Sequence, residues 1–377
     1  MSIVLVTGGA GFIGSHLVQE LVARGEQVRV LDSLSPQVHG GNLSVLPFAE
    51  DRRVELVHRS ILDVDDWAPI LRDVDRVVHL AAETGTGQSM YQIAWYNAAN
   101  SQGTAILMEA LSRHAPQVRR VVLASSRSVY GEGAFACSGC GADPVYPAPR
   151  AAEALAKRDW EPKCPRCGTH LHAVPTGEDA PIRPASVYAA TKAAQEDLVR
   201  IVAQASGIDW VALRFQNVFG ERQSLENPYT GILSIFSTRI RRGLPLAIFE
   251  DGQESRDFIH VSDVVAAVCA ALEHPAAVAA TLNVGSGVAT SVAGVARELC
   301  RAFGREVPIQ VTGEFRVGDI RHNVADIGRI AAVLGWQPRV SLQEGLDRFA
   351  RWVATQPLPE DRLDQANQEL RARKLMA

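Results

Sequence analysis

The 377-residue sequence predicts an α/β protein with a doubly wound parallel sheet. A smaller α+β part is expected towards the C-terminus, and a ribbon built on four cysteines is inserted within the first, doubly wound part. Three observations predict this. Residues 3–32 read as strand, glycine turn, helix and strand. Apolar β-rich runs then alternate with helical patterns. Two Cys-x2-Cys pairs stand 23 residues apart (141–163) in the middle of the chain.

The first unit is the best defined. An apolar run, Ile3 to Val6, stops at Gly8-Gly9-Ala10-Gly11; an amphipathic stretch from Phe12 to Arg24 stops at Gly25; a second β-rich run, Val28 to Leu31, ends on Asp32. A βαβ unit of about 30 residues with this glycine spacing is the Rossmann dinucleotide fingerprint. Gly8 permits the tight turn, Gly11 lets backbone approach a pyrophosphate, and Gly14 allows close helix–strand packing. The helix N-terminus offers the phosphates unpaired N–H groups and a partial positive charge. Asp32 falls where a carboxylate accepts hydrogen bonds from both ribose hydroxyls. It would repel a 2′-phosphate, and no Arg or Lys follows to neutralise one. NAD is therefore the expected cofactor, not NADP.

Further strands are expected at 54–58, 76–80, 119–124, 209–214 and 281–284, and helices near 92–113, 187–205, 262–274, 290–303 and 341–354. This alternation implies a parallel sheet covered on both faces. From about residue 216 the pattern becomes irregular. The expected division is a dinucleotide-binding domain at 1–215 with an insertion at 133–178, a substrate domain at 216–357, and a charged tail at 358–377 read as a surface helix or frayed end. Cys269 and Cys300 lie in apolar helical stretches and read as core thiols. A net charge of −4 without a long basic run argues against nucleic acid as a partner. No apolar run approaches the roughly 20 residues that span a bilayer. The chain enters a core strand by residue 3, which leaves no room for a signal peptide; the cytoplasm is the expected location.

Tyr188-Ala-Ala-Thr-Lys192 places a phenol and an ammonium on one helix face. An ammonium beside a phenol favours the phenolate, lowering a pKa otherwise about 10. Tyr188 can then accept a hydroxyl proton while the carbon loses hydride to NAD, with Ser126 bonded to the same oxygen and Lys192 to the nicotinamide ribose. Such a pair alone is a common surface pattern. After a glycine fingerprint and a strand ending in Ser125-Ser126, the catalytic reading is the stronger one.

With these motifs the chain resembles the extended short-chain dehydrogenase/reductase superfamily, and within it the NAD-dependent nucleotide-sugar epimerases and dehydratases. The resemblance covers nearly all of residues 1–355. It rests on GGAGFIG (8–14), HLAA (79–82), Asn100-Ser-Gln-Gly-Thr104, SSRSVYG (125–131), YAATK (188–192), LRFQNVFG (213–220), RDFIHVSD (256–263) and RVGDIRHNVAD (316–326). It implies that Ser126 and Tyr188 act on the sugar, with Lys192 in support. By the same resemblance Gly8, Gly11, Phe12, Ile13, Gly14, Asp32, Leu80, Ala81, Ala82, Asn100, Tyr188 and Lys192 surround NAD. Asn217, Arg256 and Arg316 would hold the nucleotide diphosphate and Asp319 the nucleotide ribose. A pyrophosphate dianion does call for paired guanidinium donors. A homodimer is also implied, in which helices 92–113 and 187–205 meet their symmetry mates as a four-helix bundle.

Two departures matter. Relatives often carry Gly-Asp-Ile after the third strand, the Asp meeting adenine; here the run is Arg59-Ser60-Ile61, so Ser60 and Ile61 take that place with a weaker donor set. Sugar 4,6-dehydratases carry an Asp-Glu pair after the catalytic hydroxyl residue, whereas this chain has Arg127-Ser128. Without an acid there, dehydration is not expected.

Between Gly131 and Tyr188 lie 56 residues (132–187), more than twice what simpler members use. The gap holds Cys137-Ser-Gly-Cys140 and Cys164-Pro-Arg-Cys167-Gly168, a spacing that reads as a structural zinc ribbon. A closed shell of four thiolates leaves no position for catalytic water. Two disulfides would be unusual in a reducing compartment, and a redox Cys-x2-Cys would not come in duplicate. His170 and His172 are spare ligands that read as surface residues. The insertion either covers the mouth of the sugar pocket or decorates an edge; sequence leaves both open. Among family members a ribbon of this kind, with GQSMY (87–91) and RVGDIRH, resembles the dTDP-L-rhamnose 4-epimerases. These interconvert that sugar and dTDP-6-deoxy-L-talose through a 4-keto intermediate. Other readings are a UDP- or GDP-hexose 4-epimerase, a 4-keto-sugar reductase, and a non-catalytic NAD-binding partner protein.

Overall fold

The structure, a computed structural model, describes residues 2–39, 46–225, 227, 231–316, 318–361 and 363–377. Seven parallel strands form the main sheet: β1 (Ile3–Thr7), β2 (Gln27–Asp32), β3 (Val54–His58), β4 (Val74–His79), β5 (Arg120–Ser126), β6 (Asp209–Phe215) and β7 (Ala280–Val284). Their order is β3-β2-β1-β4-β5-β6-β7. Every residue of β5 is buried, as expected of a strand covered on both faces. The order reverses between β1 and β4. In such sheets the crevice at the carboxyl ends of those two strands is where ligands bind.

Helix α1 (Phe12–Ala23) follows β1 through a turn that only glycine can make. Gly8 has φ +70°, and a Cβ on Gly14 would lie 2.3 Å from the Gly8 carbonyl oxygen. Any side chain at 14 would lift the helix off the turn. The stretch expected at 92–113 is helical, but it is not one α-helix. A turn at Ile93–Tyr96 passes into six residues of π-helix, Asn97–Gln102, before α2 (Gly103–His114). The wider π turn rotates Asn100 inward, and such turns are frequent near functional sites. Helix α3 (Val187–Ser206) is capped by the Ser186 hydroxyl, which accepts from the Ala189 N–H, and it ends at Gly207 in the left-handed region.

A second core gathers around Phe219, Phe236, Leu299, Leu346 and Phe349. It is formed by α4 (Ile232–Arg242), α6 (Val292–Phe303) and α7 (Leu342–Thr355) against a small mixed sheet centred on Ser255–His260. The boundary expected at 215 does not divide these cores. Helix α5 (Val261–Glu273) packs with α1, and β7 completes the main sheet, so the chain returns to the first core before leaving it again. Cys269 and Cys300 are buried, as expected of core thiols.

The tail differs from the expectation of a surface helix or frayed end. Helix α8 (Leu363–Ala372) buries Leu363, Ala366, Asn367 and Leu370, a stripe at helical spacing that its many charges conceal. The last residue, Ala377, exchanges two backbone hydrogen bonds with Phe315, 2.7 and 3.0 Å long. No helix among the described residues is long and apolar enough to cross a membrane.

Candidate functional site

Of the cofactor residues named from sequence, Gly8, Gly11, Phe12, Ile13, Gly14, Asp32, Leu80, Ala81 and Ala82 come together at the carboxyl ends of β1, β2 and β4. The α1 N-terminus has no side-chain cap, so the amides of its first turn, Phe12 and Ile13 among them, face the crevice. Asp32 is held at the crevice by two backbone donors, Ala10 N–H (3.0 Å) and Leu34 N–H (2.8 Å). The 80–82 segment follows β4 beside the glycine turn: the Leu80 N–H donates to the Thr7 carbonyl (3.0 Å) and the Ala81 N–H to the Thr7 hydroxyl (3.3 Å). A Cβ on Gly8 would lie 2.7 Å from Ala81 N. Bare glycine backbone, uncapped helix amides and an oriented carboxylate fit a dinucleotide.

Ser60 lies just beyond β3, where its hydroxyl accepts from the Leu62 N–H (3.1 Å), and Ile61 is buried beneath Gly103. Asn100 has another role. It is fully buried: Oδ1 accepts from the Glu83 N–H (2.7 Å), and Nδ2 donates to the Glu83 carbonyl (3.1 Å) and the Thr191 hydroxyl (2.9 Å). The π turn has made it a tie between the loop after β4 and α3, with no polar atom left for a ligand.

Ser126 ends β5, and its hydroxyl accepts from the Ser128 N–H (3.2 Å) and Ser128 hydroxyl (3.0 Å). Tyr188 and Lys192 sit one turn apart on α3, and the Tyr188 phenol lies near enough to the Ser126 hydroxyl to be influenced by it. The electrostatics differ from the sequence expectation. Burial raises the Tyr188 pKa, and what opposes it is the Ser126 hydroxyl and the Arg127 guanidinium. The Lys192 ammonium donates to the Ala124 carbonyl (2.9 Å) and stands 6.0 Å from the Tyr188 ring centre; burial pushes it down to about 7. The lysine is aimed at main chain, so the cation that bears on the phenol is Arg127. Burial pushes Arg127 itself down to about 9, with Arg256 adding to the effect.

The residues expected to hold a nucleotide diphosphate share one wall. Arg256 spends its guanidinium on the carbonyls of Ser255, Ile320 and Arg321 and on Asp319 Oδ1 (3.2 Å). It braces the 319–321 loop more than it reaches outward. Burial alone would raise the Asp319 carboxyl, but Arg256, Arg316, Arg127 and Arg150 hold it below its ordinary value. Arg316 stacks over the Phe249 ring at 4.7 Å and donates to Asn367 Oδ1 (3.2 Å). Its Nε is buried without a partner among the described residues, as are Asn217 Oδ1 and the side-chain amides of Gln216 and Asn323. Such a deficit is what a polar ligand makes good. Val317, between Arg316 and Asp319 in the sequence motif, lies outside the described residues. A cavity of about 140 Å³ opens here, lined by Thr86, Gly87, Met90, Arg316, Asp319, Leu370 and Leu375. Sequence reasoning did not single out Gln216, Asn323 or the two leucines, and it took Arg127 only as a missing acid.

The four insertion cysteines converge. Their sulfurs all lie within 4.8 Å of one another, with Cys137–Cys167 at 3.4 Å and Cys140–Cys164 at 3.7 Å. A disulfide needs about 2.05 Å. Four thiolates around zinc at about 2.3 Å stand roughly 3.8 Å apart, so the donor set fits a tetrahedral metal. The insertion core is only Phe135, Cys137, Val145, Cys164 and Leu171, too small to fold alone. The insertion does not roof the cavity. It packs behind the substrate wall, with Trp160 against Phe315 at 6.2 Å and Arg150 donating to the Asp319 carbonyl (3.0 Å).

The family model for the NAD dependent epimerase/dehydratase family matches residues 4–161 and 166–285. The chain is 38% identical over 354 residues to dTDP-L-rhamnose 4-epimerase of Burkholderia thailandensis, covering 93% of this chain and 94% of that protein. It is 35% identical to UDP-glucose 4-epimerase of Mycolicibacterium smegmatis, covering 91% and 95%. Among solved structures it is similar to UDP-glucuronic acid 4-epimerase from Bacillus cereus in complex with UDP-glucuronic acid and NAD. The TM-score is 0.76 at 27% identity, over 93% of this chain and 99% of that one.

Proposed function

We propose a reaction for a chain that belongs to the NAD dependent epimerase/dehydratase family: inversion at C4 of a nucleotide-activated hexose through a transient 4-keto sugar. The single observation that carries it is the placement of Tyr188 on α3 one turn from Lys192, whose ammonium donates to the Ala124 carbonyl (2.9 Å) of the strand that ends at Ser126, beside an open dinucleotide crevice. Bound NAD supplies a reversible acceptor for the hydride of C4. Tyr188 takes the proton of the 4-hydroxyl and returns it after the ring has turned over. Ser126 holds the same oxygen, and Arg127 favours the phenolate. Lys192, anchored on Ala124, supports the tyrosine from within α3. Asn217, Arg256, Arg316 and Asp319 are proposed to hold the nucleotide, with Gln216 and Asn323 supplying further buried amides. The position after Ser126 is a guanidinium, not a carboxylic acid, which supports epimerisation over dehydration.

The best substrate reading is dTDP-L-rhamnose to dTDP-6-deoxy-L-talose, supported by the Burkholderia relative and the converging cysteines. Purified protein incubated with dTDP-, UDP- and GDP-sugars, with products identified by NMR, tests both levels. Conversion of none of them overturns the reaction. Conversion confined to UDP-hexoses overturns only the substrate.

Cofactor choice has its own test. Asp32→Ala is expected to weaken NAD binding and relax the rejection of NADP. Unchanged affinity for both in titration calorimetry would mean that Asp32 does not reach the ribose.

A homodimer through the helical stretches 92–113 and 187–205 is proposed on the exposure of Ile93 (55%), Trp95 (49%) and Ile201 (54%) along them. Light scattering is expected to return twice the chain mass at micromolar concentration; a monomer mass refutes it.

A further inference from the structure

The charged tail carries a row of apolar side chains that the epimerase reading leaves without a task. Leu370 of α8 lies on bare backbone: a Cβ on Gly87 would meet its Cδ2 at 3.5 Å. Leu375 and Met90 line the same cavity as Leu370, together with Arg316 and Asp319. The tail is fastened along its length. Asn367 accepts from Arg316, the Tyr91 hydroxyl donates to Glu369 (3.2 Å), Arg373 stacks on the Tyr91 ring (4.3 Å), and Ala377 pairs with Phe315. The loop beneath the leucines is tied to the reacting tyrosine, since the Tyr188 N–H donates to the Ser89 hydroxyl (3.0 Å). The apolar side chains therefore share one cavity with Arg316 and Asp319 and adjoin the loop bonded to the first turn of α3, which is where we place the hexose of a nucleotide sugar.

We propose that Leu370 and Leu375, supplied by the C-terminal tail, read the substituent at C5 of the hexose: with Met90 they seat a methyl group, so the pocket prefers a 6-deoxyhexose over one bearing hydroxymethyl or carboxylate. This rests on the epimerase reading of the same site. A methyl loses only water on entering such a seat. A hydroxymethyl loses hydrogen bonds that leucine and methionine cannot replace, and a carboxylate loses more. An apolar pocket rejects an added hydroxyl by no more than about 10²-fold, which sets the size of the effect. Leu370 and Leu375 are thus specificity-determining residues and take no part in proton transfer.

The test compares kcat/KM for dTDP-L-rhamnose with that for dTDP-L-mannose, which differs only in the C6 hydroxyl. The wild type is expected to favour the 6-deoxy sugar by roughly 10- to 10²-fold. Leu375→Asn, at a half-buried position near the chain end, is expected to bring the ratio close to one, mainly by raising KM for the 6-deoxy sugar. Leu370→Asn should do the same; because Leu370 is buried, Leu370→Met serves as its control and is expected to fold and keep the preference. A ratio unchanged in Leu375→Asn, or a wild type that turns over both sugars equally well, overturns the proposal and leaves the epimerase reading standing. A wild type that converts no nucleotide sugar overturns both.

Discussion

Tyr188→Phe is expected to lower turnover by roughly 10²–10⁴-fold while leaving fold and NAD content intact. The ring stays, packed against α3, and the loop contact from its backbone N–H to Ser89 is untouched. Only the phenolic oxygen, the one influenced by Ser126, is lost. Ser126 does not replace it: an aliphatic hydroxyl is far harder to deprotonate than a phenol, and its oxygen already accepts from the Ser128 N–H and hydroxyl. Lys192 cannot either, because its ammonium is committed to the Ala124 carbonyl. Single-turnover reduction of bound NAD, followed by absorbance, isolates the step. A variant with near wild-type rates would remove Tyr188 from the mechanism.

Loss of the metal is the second large effect. Elemental analysis is expected to find one zinc per chain, and Cys137→Ser to abolish it. Zinc ties of this kind supply roughly 10–16 kcal/mol in small zinc peptides, and a five-residue core cannot replace that. The insertion should loosen and the main sheet stay folded, since its two cores do not include the cysteines. The consequence for activity is specific. Arg150 and Trp160 hold the loop carrying Asp319, so KM is expected to rise with kcat little changed. Absence of zinc, or four thiols that react freely in the native protein, would sink the metal assignment.

What could be read in advance follows a physical line. Strands β1 to β7 and the ends of α1 and α3 were legible because apolar period, glycine turns and the Ser186 cap act within a few residues. The cysteine cluster was legible because metal ligands must be spaced to meet. Partner identity was not. Asn100 carries the same side chain whether it faces a cofactor or Glu83, and only the π turn decides between them. Arg256 reads in the sequence only as a phosphate ligand; its bracing of the 319–321 loop shows once strand Ser255–His260 pairs with His322–Asn323 and brings those carbonyls to its guanidinium. The tail hid its stripe because Asp364, Glu369 and the arginines dominate its composition while the buried positions number only four. Arg127 was visible as a departure, but its charge gained meaning only from the fold that sets it against Tyr188 and Asp319.

The buried ion network behind the substrate wall has a consequence for how this chain can be cut. Arg150 is shared between Glu132 and Glu250, and Arg321 between Glu161, Glu250 and Asp251. Two of these partners, Arg150 and Glu161, belong to the insertion. Excising it to mimic a shorter relative would strip Glu132 of its ion partner and leave Glu250 to Arg321 alone, and removing one partner of a buried pair costs about 3–5 kcal/mol. The ribbon is therefore not a detachable module. A lineage that shed it would have to rewrite position 132 at the same time, and a designer who wants a minimal scaffold faces the same compensating change.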